Sequence, residues 1–368
     1  MANFFVTGLG GTPLRDFADT TKRTAYASWG QLFNKASDGD VLTISPIPLA
    51  FGKAWPNPTG IGLNNSVINF LAGVKFADVQ TSKGILVLGG KNLTLHGDPK
   101  TLADFNGAIR VSDNALNPTL VNLRVHDGCA VIGTSCILTG NNTGTVTLKN
   151  VFVSGGGDSA HFGQDHNVYV SANGSAVDNA ANVQIDMLVS LDVTNSGWSL
   201  KMRPGGVTTP NVVKNSVIGC TKPNCEQNGV VDMPCGGNYI ITHSVLERGP
   251  SGDNWHLVRA GEETLSAGNC PGAYNGTIIL DTDWLIWDGP CPGAAARGQA
   301  VLLCAGRSDC TIPGYTPTLV VKNSKIVSDP TGCALVFGPK VQDSGGNTKF
   351  VSRAAAGLAP WPYLPPHL

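Results

Sequence analysis

The sequence predicts an all-β protein: a single-stranded right-handed parallel β-helix, or solenoid, with an N-terminal capping segment. Three observations carry this reading. Short strand-like phrases of one shape recur along the chain, helical periodicity is scarce, and the composition is turn-rich, with 46 Gly and 23 Pro among 368 residues. At 42% hydrophobic and 14% charged, the chain is also too apolar for a disordered protein.

The phrases begin at Leu120, Val146, Val183, Val212, Tyr239, Ile278 and Leu319, spaced 26, 37, 29, 27, 39 and 41 residues apart. In each, two or three apolar residues meet a polar turn, often Asn, and a second short strand follows. Stacked coils explain this pattern, with alternate residues lining a narrow interior. An antiparallel sandwich should instead show hairpin signals about every 8 to 12 residues. Asn150, Asn215 and Asn323 are the residues expected to take the left-handed conformation that bends a coil. Roughly nine coils at about 4.8 Å make a rod of about 43 Å.

In chain order, residues 1–48 read as an N-terminal arm and helical cap, 49–340 as the parallel β-helix and 341–368 as a C-terminal arm. Asp16 to Ala36 has the one stretch of helical patterning, with Trp29, Leu32 and Phe33 clustered, and a solenoid must cover its first coil. The run Pro360 to Pro366 reads as an extended arm that covers the rod or touches a partner.

Ten cysteines are present. Cys129 with Cys136, Cys220 with Cys225 and Cys304 with Cys310 are geometrically available loop staples, although spacing alone leaves connectivity open. No C-x2-C pair and no flanking histidine pattern points to zinc. Disulfide-capable cysteines suit an oxidising setting and the amino terminus has no secretory signal pattern, so the chain reads as a mature extracellular form or as exposed on a virion surface. A formal net charge of -1 and a pI near 6.6 argue against a nucleic-acid partner, and no apolar run is long enough for a membrane span.

The densest polar constellation falls on four successive central phrases: His166 to Val170, Ser199 to Arg203, Val230 to Met233, and His256 to Glu263. Leu200 and Met202 inward would project Lys201 and Arg203 outward, and Val231 and Met233 inward would project Asp232 outward. Steps of 35, 31 and 30 residues from His166 to Lys201, Asp232 and Glu262 match the coil period, which places them along one groove.

At these residues the chain resembles the pectate-lyase-like superfamily, in particular bacterial and phage β-helix proteins related to alginate-lyase-type polysaccharide lyases. The resemblance rests on His166-Asn167-Val168-Tyr169, Lys201-Met202-Arg203-Pro204, Asp232 to Gly237 and Gly261-Glu262-Glu263, with Ser37-Asp38-Gly39-Asp40 similar to the superfamily's entry cap. It spans about residues 30 to 335. Relatives commonly read Lys-Ser-Arg-Ala where this chain has Lys201 to Pro204.

The resemblance implies a protein that binds an acidic polysaccharide and cleaves it by β-elimination. That reaction needs a base beside the sugar carboxylate, a cation to neutralise the carboxylate and an acid at the leaving oxygen. Lys201 is the candidate base, Arg203 or Arg259 the carboxylate clamp, and Tyr169 or His166 the acid, with Asp232 in the same catalytic set. Arg259, Glu262 and Glu263 are assigned to substrate binding. Asp232 and Glu262 are the carboxylates that would hold Ca²⁺, a thin ligand set, and no metal site is assigned.

Three rivals remain. Paired carboxylates could hydrolyse a glycosidic bond. The charged residues could form a structural ladder across coils. The chain could be a non-catalytic tail spike, fibre or decoration protein, partnered by other virion proteins or by itself as a homotrimer.

Overall fold

The computed structural model describes residues 3–6, 36–44, 61–76, 85–111, 115–127, 129, 135–140, 144–157, 165–170, 182–194, 197–205, 209–221, 225, 227–248, 256–261, 276–287, 301–304, 318–328, 336–337 and 340–360. Their strands form two sheets, of nineteen and nine strands, and every pairing between named strands is parallel. A parallel ladder in which each turn of chain adds a strand to both sheets is the expected parallel β-helix.

The larger sheet is creased into two faces. Thr145–Ser154 and Asn182–Leu191 each cross the crease as one continuous strand, bent at a left-handed residue. Seven successive coils bend at the equivalent place: Asn122, Asn150, Met187, Asn215, His243, Thr282 and Asn323 all have φ between 51° and 62°. Asn tolerates this region because its short amide can bond locally. Asn150 Nδ2 donates to Asn122 Oδ1 at 2.8 Å, so the amide that permits the bend also ties it to the coil below. The expected bends at Asn150, Asn215 and Asn323 are therefore present. A second stack, Asn65, Asn92 and Asn117, turns the earlier coils and is linked by amide bonds of 2.7 and 2.9 Å.

Inward positions hold an almost wholly apolar column that includes Leu95, Leu120, Leu148, Ile185, Val213, Ile241, Leu280 and Val321. Burying each such side chain stabilises the fold by about 1.5–3 kcal/mol. Just after the crease, the inward row changes from Leu123, Val151 and Leu188 to Ser216, Ser244, Asp283, Ser324 and Asn347. Each polar side chain in this row accepts a backbone N–H from the preceding coil at 2.7–3.1 Å.

The coils extend past both expected boundaries. Asn3–Val6 pairs with Val41–Ile44, which pairs with Val67–Phe70, so part of the segment assigned to the arm and cap is helix strand. The expected cap helix from Asp16 lies, up to residue 35, outside the described residues. At the other end Val341–Asp343 and Thr348–Phe350 continue both faces beyond 340, and residues 361–368 are outside the described set. No helix among the described residues is long and apolar enough to cross a membrane.

Cys129–Cys136 and Cys220–Cys225 are disulfide-bonded, as expected, with Cα atoms 4.8 and 5.8 Å apart. Cys235 is also bonded. The Cys304–Cys310 pairing lies outside the described side chains.

Candidate functional site

The nine-stranded sheet positions the site. Across its strands one lateral row reads Arg110, Leu138, Tyr169, Lys201, Asp232, Arg259. Flanking residues such as Leu200, Met202, Val231 and Val258 belong to the apolar core, so this row faces away from it. Alternation thus projects Lys201 and Asp232 outward side by side, as the sequence predicted.

Register differs from the spacing argument at two steps. Tyr169, not His166, stands opposite Lys201, and Arg259, not Glu262, stands opposite Asp232. The coil joining Asp232 to Arg259 is 27 residues long, shorter than its neighbours, so a fixed period of about 30 overshoots. Glu262 and Glu263 lie outside the described residues.

Asp232 is fully buried and is the hub of the cluster. Arg259 Nε and Nη2 donate to its two carboxylate oxygens at 3.3 and 3.2 Å, and Lys201 Nζ lies 3.6 Å from Oδ2. The Tyr169 ring carries Lys201 Nζ at 5.2 Å and the Arg203 guanidinium at 5.1 Å from its centroid, both within cation–π reach. Arg203 extends the strand by donating its backbone N–H to Val170 O at 3.2 Å. Lys201, Arg203 and Arg259 are only 8–9% exposed. The row opens toward its amino-terminal end, where Leu138 is half-buried and Arg110 exposed.

His166 is buried beside this cluster, edge-on to Tyr169 at 4.9 Å. Its Nδ1 accepts the Trp198 backbone N–H at 2.9 Å, which leaves the ring proton on Nε2. Burial, then the positive charges of Lys201, Arg203 and Arg259, push its pKa well below the usual histidine value. A neutral imidazole of this kind donates a hydrogen bond from Nε2 but is a poor proton donor to a leaving group.

Sequence reasoning missed Trp198. Strict alternation would turn it inward with Leu200 and Met202, but pairing is irregular between Gly197 and Trp198, and its ring lies under the Arg259 guanidinium at 4.4 Å. Gly229 makes this possible: a Cβ there would fall 2.1 Å from the indole. Tyr239 and Asn211 were missed as well. The Tyr239 hydroxyl and Asn211 Nδ2 both donate to Pro204 O, anchoring the strand end that carries Arg203.

Asp232 does not fit a calcium ligand set, because two cationic side chains already occupy its oxygens. Among the described residues the one metal-type cluster is Asp192, Cys220 and Cys225, whose sulfurs form the disulfide.

The sequence matches no family model and no curated protein. Among solved structures, the chain is similar to a pectin methylesterase mutant in complex with a hexasaccharide, with 10% identity over 82% of this chain and 97% of that one, at a TM-score of 0.43. It is likewise similar to the pectin methylesterase PemA from Erwinia chrysanthemi, with 10% identity over 86% and 98% of the two chains and a TM-score of 0.42.

Proposed function

We propose that the outward row of the nine-stranded sheet binds an acidic polysaccharide and cleaves it by β-elimination. One observation carries the reading: Lys201, Asp232 and Arg259 stand in register on successive strands, with Lys201 and Arg203 both packed against the Tyr169 ring. A uronate carboxylate entering beside Tyr169 meets Arg203, which neutralises it and stabilises the charge that develops as the adjacent proton leaves. Lys201 is the base that takes the proton beside the carboxylate, and Tyr169 supplies the proton to the leaving oxygen. Arg259 is held by Asp232 and Trp198 and closes the far end of the binding row.

The test is an incubation with acidic polysaccharides, followed by ultraviolet absorbance of unsaturated ends alongside a reducing-sugar assay. New absorbance with matching reducing ends supports the lyase, with Lys201→Ala and Tyr169→Phe each lowering turnover by about a hundredfold or more while the melting curve holds. Reducing ends without absorbance would turn the proposal to hydrolysis.

A second reading is favoured by the complete burial of Asp232 between two cations: a structural ladder in a non-catalytic, adhesive β-helix displayed outside the cell or on a virion. Lys201→Ala would then lower stability, and no glycan would yield either signal.

A further inference from the structure

The outward side of the larger sheet, before its crease, carries two adjacent rows. One reads Lys149, Asp186, Lys214, Thr242, Asp281, Lys322 along the rod. Beside it runs Thr147, Gln184, Val212, Ile240, Ile279, Val320, Gln342. None of these side chains is buried. Four consecutive aliphatic residues therefore lie partly open on a flat sheet, with polar residues at both ends.

Within the chain the charges pair along the rod, Lys214 with Asp186 at 3.4 Å and Lys322 with Asp281 at 3.1 Å. Both pairs run in the same order, acid then base, on either side of Thr242. Intrachain pairing does not require this, since acid–base followed by base–acid would satisfy each pair equally. The shared order has a consequence for a second copy. A two-fold axis along the Tyr239–Thr242 strand, lying in the plane between two facing sheets, reverses the rod direction and lays each row on itself. Lys214 then faces Asp281 of the other copy, and Asp186 faces its Lys322. In the neighbouring row Ile240 meets itself, Val212 meets Ile279, and Thr147 meets Gln342. With the opposite order of charges, every ionic contact would be repulsive.

We infer that this face docks a second copy of the same chain, rods antiparallel, about a two-fold axis at Ile240 and Thr242. Seven coils at about 4.8 Å, each offering about four residues at 3.3 Å, give a footprint of roughly 450 Å² per copy. The total of roughly 900 Å² falls below the roughly 1,200–2,000 Å² of stable specific interfaces, in the range of weak encounters, so the dimer is weak and reversible. The face belongs to the larger sheet and stands independently of the glycan proposal.

Sedimentation velocity of the full chain from about 1 to 300 µM is the test. A rise from monomer toward dimer mass is expected. Lys214→Glu should weaken association about tenfold or more by setting two acids against each other. The swap Lys214→Glu with Asp281→Lys should recover it, although both intrachain pairs are then lost, and Ile240→Glu should abolish it. Lys214→Gln, which adds no repulsion, should fall between wild type and Lys214→Glu and serves if the latter folds poorly in a thermal melt. A monomer at every concentration, a trimer, or a dimer indifferent to these substitutions would overturn the inference.

Discussion

Asp283 shows how a single side chain can oppose the fold it sits in. It occupies a row where Ser216, Ser244 and Ser324 each donate a hydroxyl to the carbonyl two residues earlier. A carboxyl can follow that pattern only when protonated. Its Oδ1 accepts the Ser244 N–H at 2.7 Å, its Oδ2 is buried without a hydrogen-bond partner, and burial raises its pKa to about 8. The folded pKa thus lies above the unfolded value of 3.8, so the folded state holds this proton more tightly. Stability from this site is fully present below about pH 4 and is lost as pH rises toward about 8. Asp283→Ser should therefore be more stable than wild type at pH 8 and lose the advantage near pH 4, as read from urea midpoints at the two pH values. An equal difference at both would show that the carboxyl is already ionised in the fold.

The crease is the element whose chemistry is least uniform. Asn suits the left-handed bend, yet Thr282 occupies it at φ 62° and Met187 at φ 58°. A β-branched residue is disfavoured there by about 1–2 kcal/mol. Thr282 keeps one compensation, a 3.0 Å bond from its hydroxyl to Asp281 Oδ1. Thr282→Asn should relieve most of the strain and raise stability by about 1 kcal/mol, a shift measurable in the denaturant midpoint with an unchanged slope. A fall in the midpoint would mean that the hydroxyl contact outweighs the backbone term.

For the molecule as a whole, a solenoid is held mainly by contacts between adjacent coils, so a link across 106 residues of sequence stands apart. Arg353, just past the last strand, pairs with buried Glu247 and donates from Nε to Ala359 O at 2.7 Å. This folds the carboxy-terminal segment back against strands laid down several coils earlier. Arg353→Ala should cost about 1.5–3 kcal/mol, the range for a hydrogen bond to a charged group. It should also raise hydrogen exchange around Glu247 before that around Leu120. Uniform loosening of all coils would argue that the segment does not act locally.

Local pattern alone determined the coils, because alternation and a recurring turn act within a few residues: the apolar stack at Leu148, Ile185 and Val213, the bends at Asn150, Asn215 and Asn323, and the outward direction of Lys201 and Asp232 follow from it. The coil ends depend on loops of unequal length, so only the folded register set Tyr169 beside Lys201 and Arg259 beside Asp232. Tertiary structure also decided the roles of His166 and Trp198. Burial against three cations keeps the imidazole neutral, and the missing side chain of Gly229, on another strand, opens the space for the indole. Neither influence is written in the residues next to them, because desolvation and close packing arise only when separate coils are stacked.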